Sequence, residues 1–182
     1  QKVRLLGSYI TDKVRKDQMK LDELYDRYGE KLYHYLTVKL ASAEDAEDIL
    51  QEVFLRLARY SIRWKFIRNE EPYVFRLARN EANRFLKRKH QNQINPENAP
   101  ALARVIHDSL VIDCPDRSDK ESLSLALARL PEEQRQVIVL KFFEELTLKE
   151  IAAVCGLSLN TVASRYRYGL SKLKSLLEAK DD

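Results

Sequence analysis

A helix–turn–helix pattern near the end of the sequence constrains the fold more than any other stretch. Thr147 and Glu150 have the spacing of a capping box, in which two side chains satisfy free amides at a helix start. Gly156 is suited to the left-handed residue that ends such a helix. Ser158 or Asn160 can then cap a second helix. Two short helices joined by a tight glycine turn form a helix–turn–helix, whose second helix is shaped to enter a DNA major groove.

The second helix of this motif has an apolar and a polar face. Its apolar positions recur three or four residues apart, at Val162, Tyr166, Leu170, Leu173 and Leu177. The opposite face carries hydrogen-bonding groups and a cation, at Asn160, Thr161, Ser164, Arg167, Tyr168 and Ser171. Such side chains contact base edges and phosphates, and Arg165, at the border of this face, is better placed for a phosphate. For this stretch alone, an ordinary helical hairpin with a solvated face is the alternative.

Composition favours a helical protein. The 182 residues include only 4 Gly and 5 Pro, and 33% charged beside 45% hydrophobic residues fit amphipathic helices better than disorder. Two cysteines far apart give no disulfide framework. The first residues lack the apolar core of a signal peptide, and no run approaches the ~20 apolar residues of a membrane span. We therefore expect an intracellular, soluble, all-α protein.

Five acidic residues lie close together at Glu44, Asp45, Glu47, Asp48 and Glu52. The first of them fit an acidic first helical turn behind an N-cap at Ser42 or Asp45. A docking surface for a basic partner would explain Asp48, Gln51 and Glu52, beside the apolar Phe54 and Leu55. A metal or acid–base cluster is a third explanation, but no His–carboxylate or spaced acid motif elsewhere completes one. We therefore expect no metal, no cofactor and no catalytic residue.

The charge reverses after the acidic segment. Between Arg56 and Lys89, eleven bases against three acids give a net charge of +8, and aromatic residues that include Trp64, Phe66 and Phe85 are interleaved. Residues 61–71 have no clean period and are predicted to form a loop, after which Pro72 is suited to a first helical turn. A basic helix beside a basic, aromatic loop is the composition expected of a protein that binds opened or single-stranded nucleic acid.

Four segments follow from these patterns. Residues 1–20 are basic and form either a short helix or a loose arm. Residues 21–90 form one small helical domain, and residues 122–182 form a second with the helix–turn–helix. Residues 91–121 form a flexible, acidic linker that is broken by Asn and Pro and has a short helical piece near Leu102–Ile106.

The same linker raises the question of a metal or redox site. It contains His107 and Cys114, and the second cysteine, Cys155, lies in the helix–turn–helix. Their spacing matches no standard zinc-ligand pattern, and the set is incomplete. The sequence therefore does not favour a metal or redox site here, and it leaves the role of these three residues open.

Three motifs follow one another along the chain. The first is Asp-Ala-Glu-Asp-Ile-Leu-Gln-Glu-Val-Phe at 45–54, and the second runs from Glu-Pro-Tyr-Val-Phe-Arg at 71–76 to Phe-Leu-Lys-Arg-Lys at 85–89. The third combines Leu-Ala-Arg-Leu-Pro-Glu-Glu-Gln-Arg at 127–135 with Asn-Thr-Val-Ala-Ser-Arg at 160–165. In this order they resemble the clamp-binding helix, the promoter-melting helix and region four of a bacterial RNA polymerase sigma factor of the extracytoplasmic-function (ECF) group.

The resemblance implies a sigma factor that binds RNA polymerase core and directs promoter-specific initiation by recognising and melting promoter DNA. A core-docking set would meet the polymerase clamp coiled coil: Asp45, Asp48, Gln51, Glu52, Phe54 and Arg56. A minus-ten set would capture the melted strand: Arg63, Trp64, Lys65, Arg68, Asn80, Asn83, Arg84 and Lys87. A minus-thirty-five set would read the duplex: Asn160, Thr161, Ser164, Arg165, Arg167 and Tyr168.

The resemblance also implies the protein's surroundings. Catalysis would stay with the polymerase, so the chain itself would be no enzyme. Its partners would be the polymerase core, promoter DNA and an anti-sigma factor, in the bacterial cytoplasm and at the nucleoid through the polymerase. Two other functions stay open at this point: a DNA-binding regulator that needs no polymerase, and a metal-dependent nucleic-acid enzyme that uses the acids of residues 44–52.

Overall fold

The protein is helical throughout the part of the chain that the structure describes. This computed structural model describes residues 2–59, 67, 69–89, 99–109 and 117–179, with side chains from residue 21 onward except that of Arg117. These residues form no strand and eight helices: α1 (Lys2–Leu40), α2 (Ala43–Arg59), α3 (Glu70–Arg88), α4 (Ala99–Ser109), α5 (Arg117–Arg129), α6 (Glu132–Phe142), α7 (Leu148–Cys155) and α8 (Leu159–Glu178). The all-α class predicted from the sequence is confirmed.

The caps of the helix–turn–helix are those that the sequence predicts. The Thr147 amide donates to the Glu150 carboxylate at 2.9 Å, and the Thr147 hydroxyl accepts from the Glu150 amide at 3.2 Å. Gly156 ends α7 in the left-handed region at φ 66°. Of the two candidates for the cap of α8, Ser158 takes the role, since its hydroxyl accepts from the Thr161 amide at 3.1 Å. The motif therefore has the tight turn that fixes α8 against α7.

The first helical unit consists of α1, α2 and α3. Ser42 is the cap of α2, because its hydroxyl accepts from the Asp45 amide at 3.2 Å. The three helices bury apolar residues spaced three and four apart, and Leu36 of α1, Val53 of α2 and Phe75 of α3 lie in the same core. This packing leaves the opposite faces of α2 and α3 open to solvent.

Two segments are more helical than the sequence predicts. The basic segment 1–20 belongs to α1 from Lys2 onward. The helical piece expected near Leu102–Ile106 is confirmed, but as α4 it extends from Ala99 to Ser109 and packs against α5 and α1. Its extension follows the period of Ala99, Leu102, Ala103 and Ile106, all of which are buried.

A continuous core joins the first unit to a second helical unit, which consists of α5, α6, α7 and α8. α7 packs on α3, and Ile151 and Val154 share one buried cluster with Phe75 and Ala78. We call this contact surface, between α1 and α3 on one side and α6 and α7 on the other, the seam.

Polar contacts cross the seam as well. The Lys39 ammonium lies 2.8 Å from the Glu132 carboxylate, and the Gln136 amide donates to the Tyr35 hydroxyl at 2.6 Å. Each of these bonds joins α1 to α6. The seam therefore combines apolar burial with paired polar groups.

A glycine brings α8 close to α6. A Cβ atom on Gly169 would lie 2.9 Å from Cδ1 of Ile138 and 3.2 Å from Cβ of Gln134. The apolar stripe predicted for α8 is confirmed at Val162, which is fully buried, and Gly169 is buried as well. A side chain at residue 169 would force Ile138 or Gln134 to shift.

A buried arginine ties α6 to the end of α5. Arg135 is only 2% exposed, and its Nη1 donates to the carbonyl oxygens of Ala128 and Leu130, both at 3.1 Å. Burial lowers the pKa of this guanidinium, because the charged form loses its hydration. The two bonds satisfy carbonyl groups that the end of α5 leaves without helical partners.

We predict that Arg135→Ala destabilises the protein by about 3 kcal/mol, because it removes both hydrogen bonds and leaves a cavity around buried carbonyls. Urea denaturation followed by circular dichroism measures the change. Arg129→Ala is the matched control, since Arg129 is exposed on the same pair of helices and its loss should stay within ~0.5 kcal/mol. Equal stability of the two variants would contradict the structural role of Arg135.

Candidate nucleic-acid and docking surfaces

An open groove with apolar walls lies between α1 and α2. Tyr25 is 56% exposed on one wall and Leu55 is 54% exposed on the other, and the Tyr25 ring centroid lies 5.0 Å from that of Phe54. Asp48 and Gln51 are exposed on the same helix as Leu55. Exposed apolar side chains beside an acid form a surface suited to a partner with apolar and basic groups. Tyr25 has the three- and four-residue spacing of a core residue with Leu21 and Tyr28, so helical periodicity does not reveal this wall.

The core-docking set divides into exposed and internal residues. Asp48 and Gln51 face solvent, whereas Phe54 is buried. Asp45 is partly buried and its carboxylate lies 2.9 Å from the Lys89 ammonium of α3. The two others, Glu52 and Arg56, form an ion pair at 3.3 Å along α2. Of the acidic residues in the core-docking set, Asp48 is therefore the one that is exposed to solvent.

A buried carboxylate fastens α2 to α3. Glu81 is buried on α3 and accepts from Nη1 of Arg56 and from Nη1 of Arg84, both at 2.9 Å. Two guanidinium groups offset the cost of burying this charge. Arg56 therefore holds the unit together, and Arg84 is oriented by a fixed partner. The sequence does not reveal that Glu81 links α2 to α3, although Glu81 has the i,i+3 spacing to Arg84 that helical ion pairs use.

The described members of the minus-ten set share one face of α3. Asn80, Arg84 and Lys87 are exposed and Asn83 is partly buried, while Phe75 and Ala78 point into the core. The spacing of three and four residues brings the four polar side chains together along the helix. The four other members, Arg63, Trp64, Lys65 and Arg68, lie outside the described residues.

The minus-thirty-five set lies on α8 as predicted, but its side chains differ in exposure and in the contacts that they make. Asn160, Arg167 and Tyr168 are exposed, and the Arg167 guanidinium lies 5.5 Å from the Tyr168 ring centroid. Arg165 is partly buried, and its Nη2 lies 3.2 Å from the Glu133 carboxylate of α6. The exposed side chains are free to meet base edges, whereas the pair with Glu133 holds Arg165 at the edge of the face.

Two polar residues of the same set are partly buried. Ser164 is one, and Thr161 is the other, with its hydroxyl 2.8 Å from that of Ser158. Thr161 therefore takes part in the helix cap as well as in the polar face.

The described residues offer no metal site, since no group of three or more His, Cys, Asp or Glu side chains among them could hold a metal ion. Cys155 is buried in the core, and burial raises the pKa of its thiol. His107 lies beside Asp108 on α4, and Cys114 lies outside the described residues. Among the helices that the structure describes, none is long and apolar enough to cross a membrane.

The sequence matches two protein families in the order that the fold suggests. The family described as Sigma-70 region 2 matches residues 24–91, and the family described as Sigma-70, region 4 matches residues 126–175. The ECF RNA polymerase sigma factor SigW of Bacillus subtilis is 28% identical in an alignment of 173 positions that covers 88% of this chain and 90% of that protein. The RNA polymerase sigma-E factor of Streptomyces antibioticus is 30% identical in an alignment of 141 positions that covers 75% of this chain and 73% of that protein.

Two solved structures share the fold. CnrH, in complex with the cytosolic domain of CnrY, superposes with a TM-score of 0.66 at 24% identity and covers 93% of this chain and 94% of its own. The sigma factor RpoE of Bartonella quintana, in complex with the anti-sigma factor NepR, superposes with a TM-score of 0.65 at 20% identity and covers 86% of this chain and 95% of its own. From the two matched regions and the sequence relatives, we conclude that the chain belongs to the ECF sigma factors of RNA polymerase.

Proposed function

We propose that this sigma factor docks on RNA polymerase core through the exposed face of α2 and aims the enzyme at promoters through α3 and α8. One observation carries the proposal: a single chain keeps an acidic, apolar docking face separate from two polar faces that carry basic residues. The docking face would bind RNA polymerase, and the two polar faces would bind DNA. Catalysis would remain with the polymerase.

The docking step would use the groove between α1 and α2. Asp48 and Gln51 are the exposed polar residues of the core-docking set, and Leu55 and Tyr25 add exposed apolar area. A coiled coil of the polymerase clamp would meet this groove with basic and apolar side chains. Apolar anchors would supply most of the affinity, and the acidic rim would mainly speed and orient the encounter.

The outward face of α3 would hold the minus-ten strand after melting. Asn80, Asn83 and Lys87 provide hydrogen bonds and charge, and Glu81 fixes the position of Arg84. Extruding a base costs a few kcal/mol, so binding to core and DNA together must offset that cost. Trp64, in the adjoining segment, would supply a stacking surface for an unstacked base.

The exposed face of α8 would read the minus-thirty-five element in the major groove. Arg167 and Tyr168 project from the helix next to each other, and Asn160 lies near its start, where recognition helices usually contact bases. Arg165, held by Glu133, would grip a phosphate and set the register of the helix on the duplex.

An anti-sigma factor would compete for the docking groove. The RpoE neighbour is held by the anti-sigma factor NepR, and this chain has the same fold. Exposed Tyr25 and Leu55 would need cover in an inactive state, because exposed apolar area favours association. A protein that covered them would exclude the polymerase from the same surface.

For docking, we predict that Asp48→Arg combined with Gln51→Ala weakens binding to purified core at least tenfold, about 1.4 kcal/mol, because the rim charge is reversed. Fluorescence anisotropy without DNA measures the affinity. Glu178→Arg combined with Ser175→Ala is the matched control, since both residues are exposed at the far end of α8. Unchanged core binding by the α2 variant would refute this docking surface, and tight duplex binding without core would favour a polymerase-independent regulator.

For promoter choice, we predict that Arg167→Ala and Tyr168→Ala each cost ~1–3 kcal/mol on the preferred promoter and little on others, because a base contact is lost. Run-off transcription from a panel of minus-thirty-five sequences measures the effect. Lys172→Ala is the comparison, because this exposed lysine should weaken all sequences alike and lower the salt slope by about one. Equal weakening by Arg167→Ala on every sequence would assign Arg167 to phosphate anchoring.

A further inference from the structure

The seam holds the two helical units close together, whereas the two promoter elements that they would bind lie far apart on DNA. The longest helix described, α1, has 39 residues and is about 58 Å long at 1.5 Å per residue. The minus-ten and minus-thirty-five elements are named for their positions before the start site, so they are about 25 base pairs apart, which is about 85 Å at 3.4 Å per base pair. On the function proposed above, the units must therefore separate before both elements are bound. The strength of the seam then decides how readily the protein opens.

One carboxyl group in the seam has no partner. Glu144 lies in the turn after α6 and is only 1% exposed, yet neither of its carboxylate oxygens has a hydrogen-bond partner. Two other buried charged residues are paired, Glu81 with two arginines and Lys39 with Glu132. A buried, unpaired carboxylate is far less favourable than a buried, neutral carboxyl.

The charged groups that act on Glu144 come from the first helical unit. Lys31 and Glu30 belong to α1, and Glu71 belongs to α3. Lys31 is the only cation of the three, and its ammonium lies 3.1 Å from the Glu71 carboxylate. Burial raises the pKa of Glu144 to about 8, and the nearby Glu71 and Glu30 add to this effect while Lys31 opposes it. Burial is therefore the main cause that disfavours the carboxylate, and the charges of the first unit act in both directions.

We propose that Glu144 is a latch of the seam: its carboxyl is neutral while the two units are closed, and its ionisation drives them apart. Once the units separate, the side chain is exposed to water and ionises at its ordinary value. Opening therefore releases a proton, and any condition that favours the carboxylate favours opening.

The sign of the pH dependence follows from this linkage. Below the ordinary carboxyl pKa of 4.5 the group is neutral in both states, and closure carries no penalty. As pH rises from there toward the closed-state pKa of about 8, closure requires a bound proton and is progressively disfavoured. Above that value the group is charged in both states and the effect levels off. The seam is thus tight in acid and loose near pH 8.

The test uses Cys155 as a reporter of opening, because this thiol is buried in the core cluster that spans the seam. The full chain carries Cys114→Ser so that one thiol remains, and labelling by dithiodipyridine is timed from pH 5 to pH 8. At each pH the labelling rate of the protein with Glu144 is compared with that of Glu144→Gln, whose side chain has the same shape but cannot ionise. Because both proteins contain the same thiol, the effect of its own titration cancels in the ratio of the two rates. We expect labelling at pH 8 to be at least about tenfold slower in Glu144→Gln, and the two rates to approach each other at pH 5.

Glu145→Gln is the matched control, because this neighbouring carboxylate is exposed and its removal changes the net charge equally. It should label like the parent protein at every pH. Equal labelling of Glu144→Gln and its parent at pH 8 would overturn the proposal, and so would a slowdown of the same size in Glu145→Gln. Loss of helical circular dichroism in step with labelling would also overturn it, since that would mean unfolding instead of separation.

Small-angle scattering of the unmodified protein gives a second test that no substitution can compromise. Its radius of gyration should rise between pH 5 and pH 8, and a constant value would overturn the latch. If Glu144→Gln failed to fold, Glu144→Met would replace it, because it also removes the charge at similar volume. None of these measurements uses polymerase or DNA, so their failure is distinct from a failure of the proposed function.

Discussion

The burial of α3 between two helical units is the contact on which the rest of the structure depends. Phe75 and Ala78 pack toward α1 and α2 and share their cluster with Ile151 and Val154 of α7. Apolar burial is the dominant favourable term in folding, so α3 is the central element of the core. The same helix is the one proposed to hold the melted strand. The opposite face of α3, with Asn80 and its neighbours, is open to solvent.

The charged residues fall into two groups: those that are paired within the fold and stabilise it, and those that are exposed to solvent. Arg56 and Arg84 neutralise one buried carboxylate, and Arg135 satisfies backbone carbonyls, so these cations are structural at least in part. Arg167 and Asp48 project into solvent. An alanine substitution in the first group removes contacts that stabilise the fold, whereas one in the second group removes no such contact and would act on binding alone.

Local patterns in the sequence were enough to predict the helix–turn–helix, its caps and the polar face of α8. Thr147, Gly156 and Ser158 act within a few residues of themselves, so their spacing is visible in the chain. The pairing of Arg56 with Glu81 and the close approach at Gly169 could not be predicted, because each depends on residues that only the fold brings together. The exposure of Tyr25 was missed for the same reason: helical periodicity marks an apolar face but does not show where a neighbouring helix stops covering it.

Glu81 and Glu144 are the same residue type in two buried places, and the fold treats them differently. Glu81 lies within the first unit, where nothing needs to move, and two guanidinium groups pair with it. Glu144 lies where two units meet, and there Lys31, the cation that acts on it, is already paired with Glu71. A fully paired ion at the seam would add to the cost of separation, whereas a carboxyl that is favourable only when neutral leaves the contact weak enough to reverse. A protein that must hold two modules together and later release them is better served by the second arrangement.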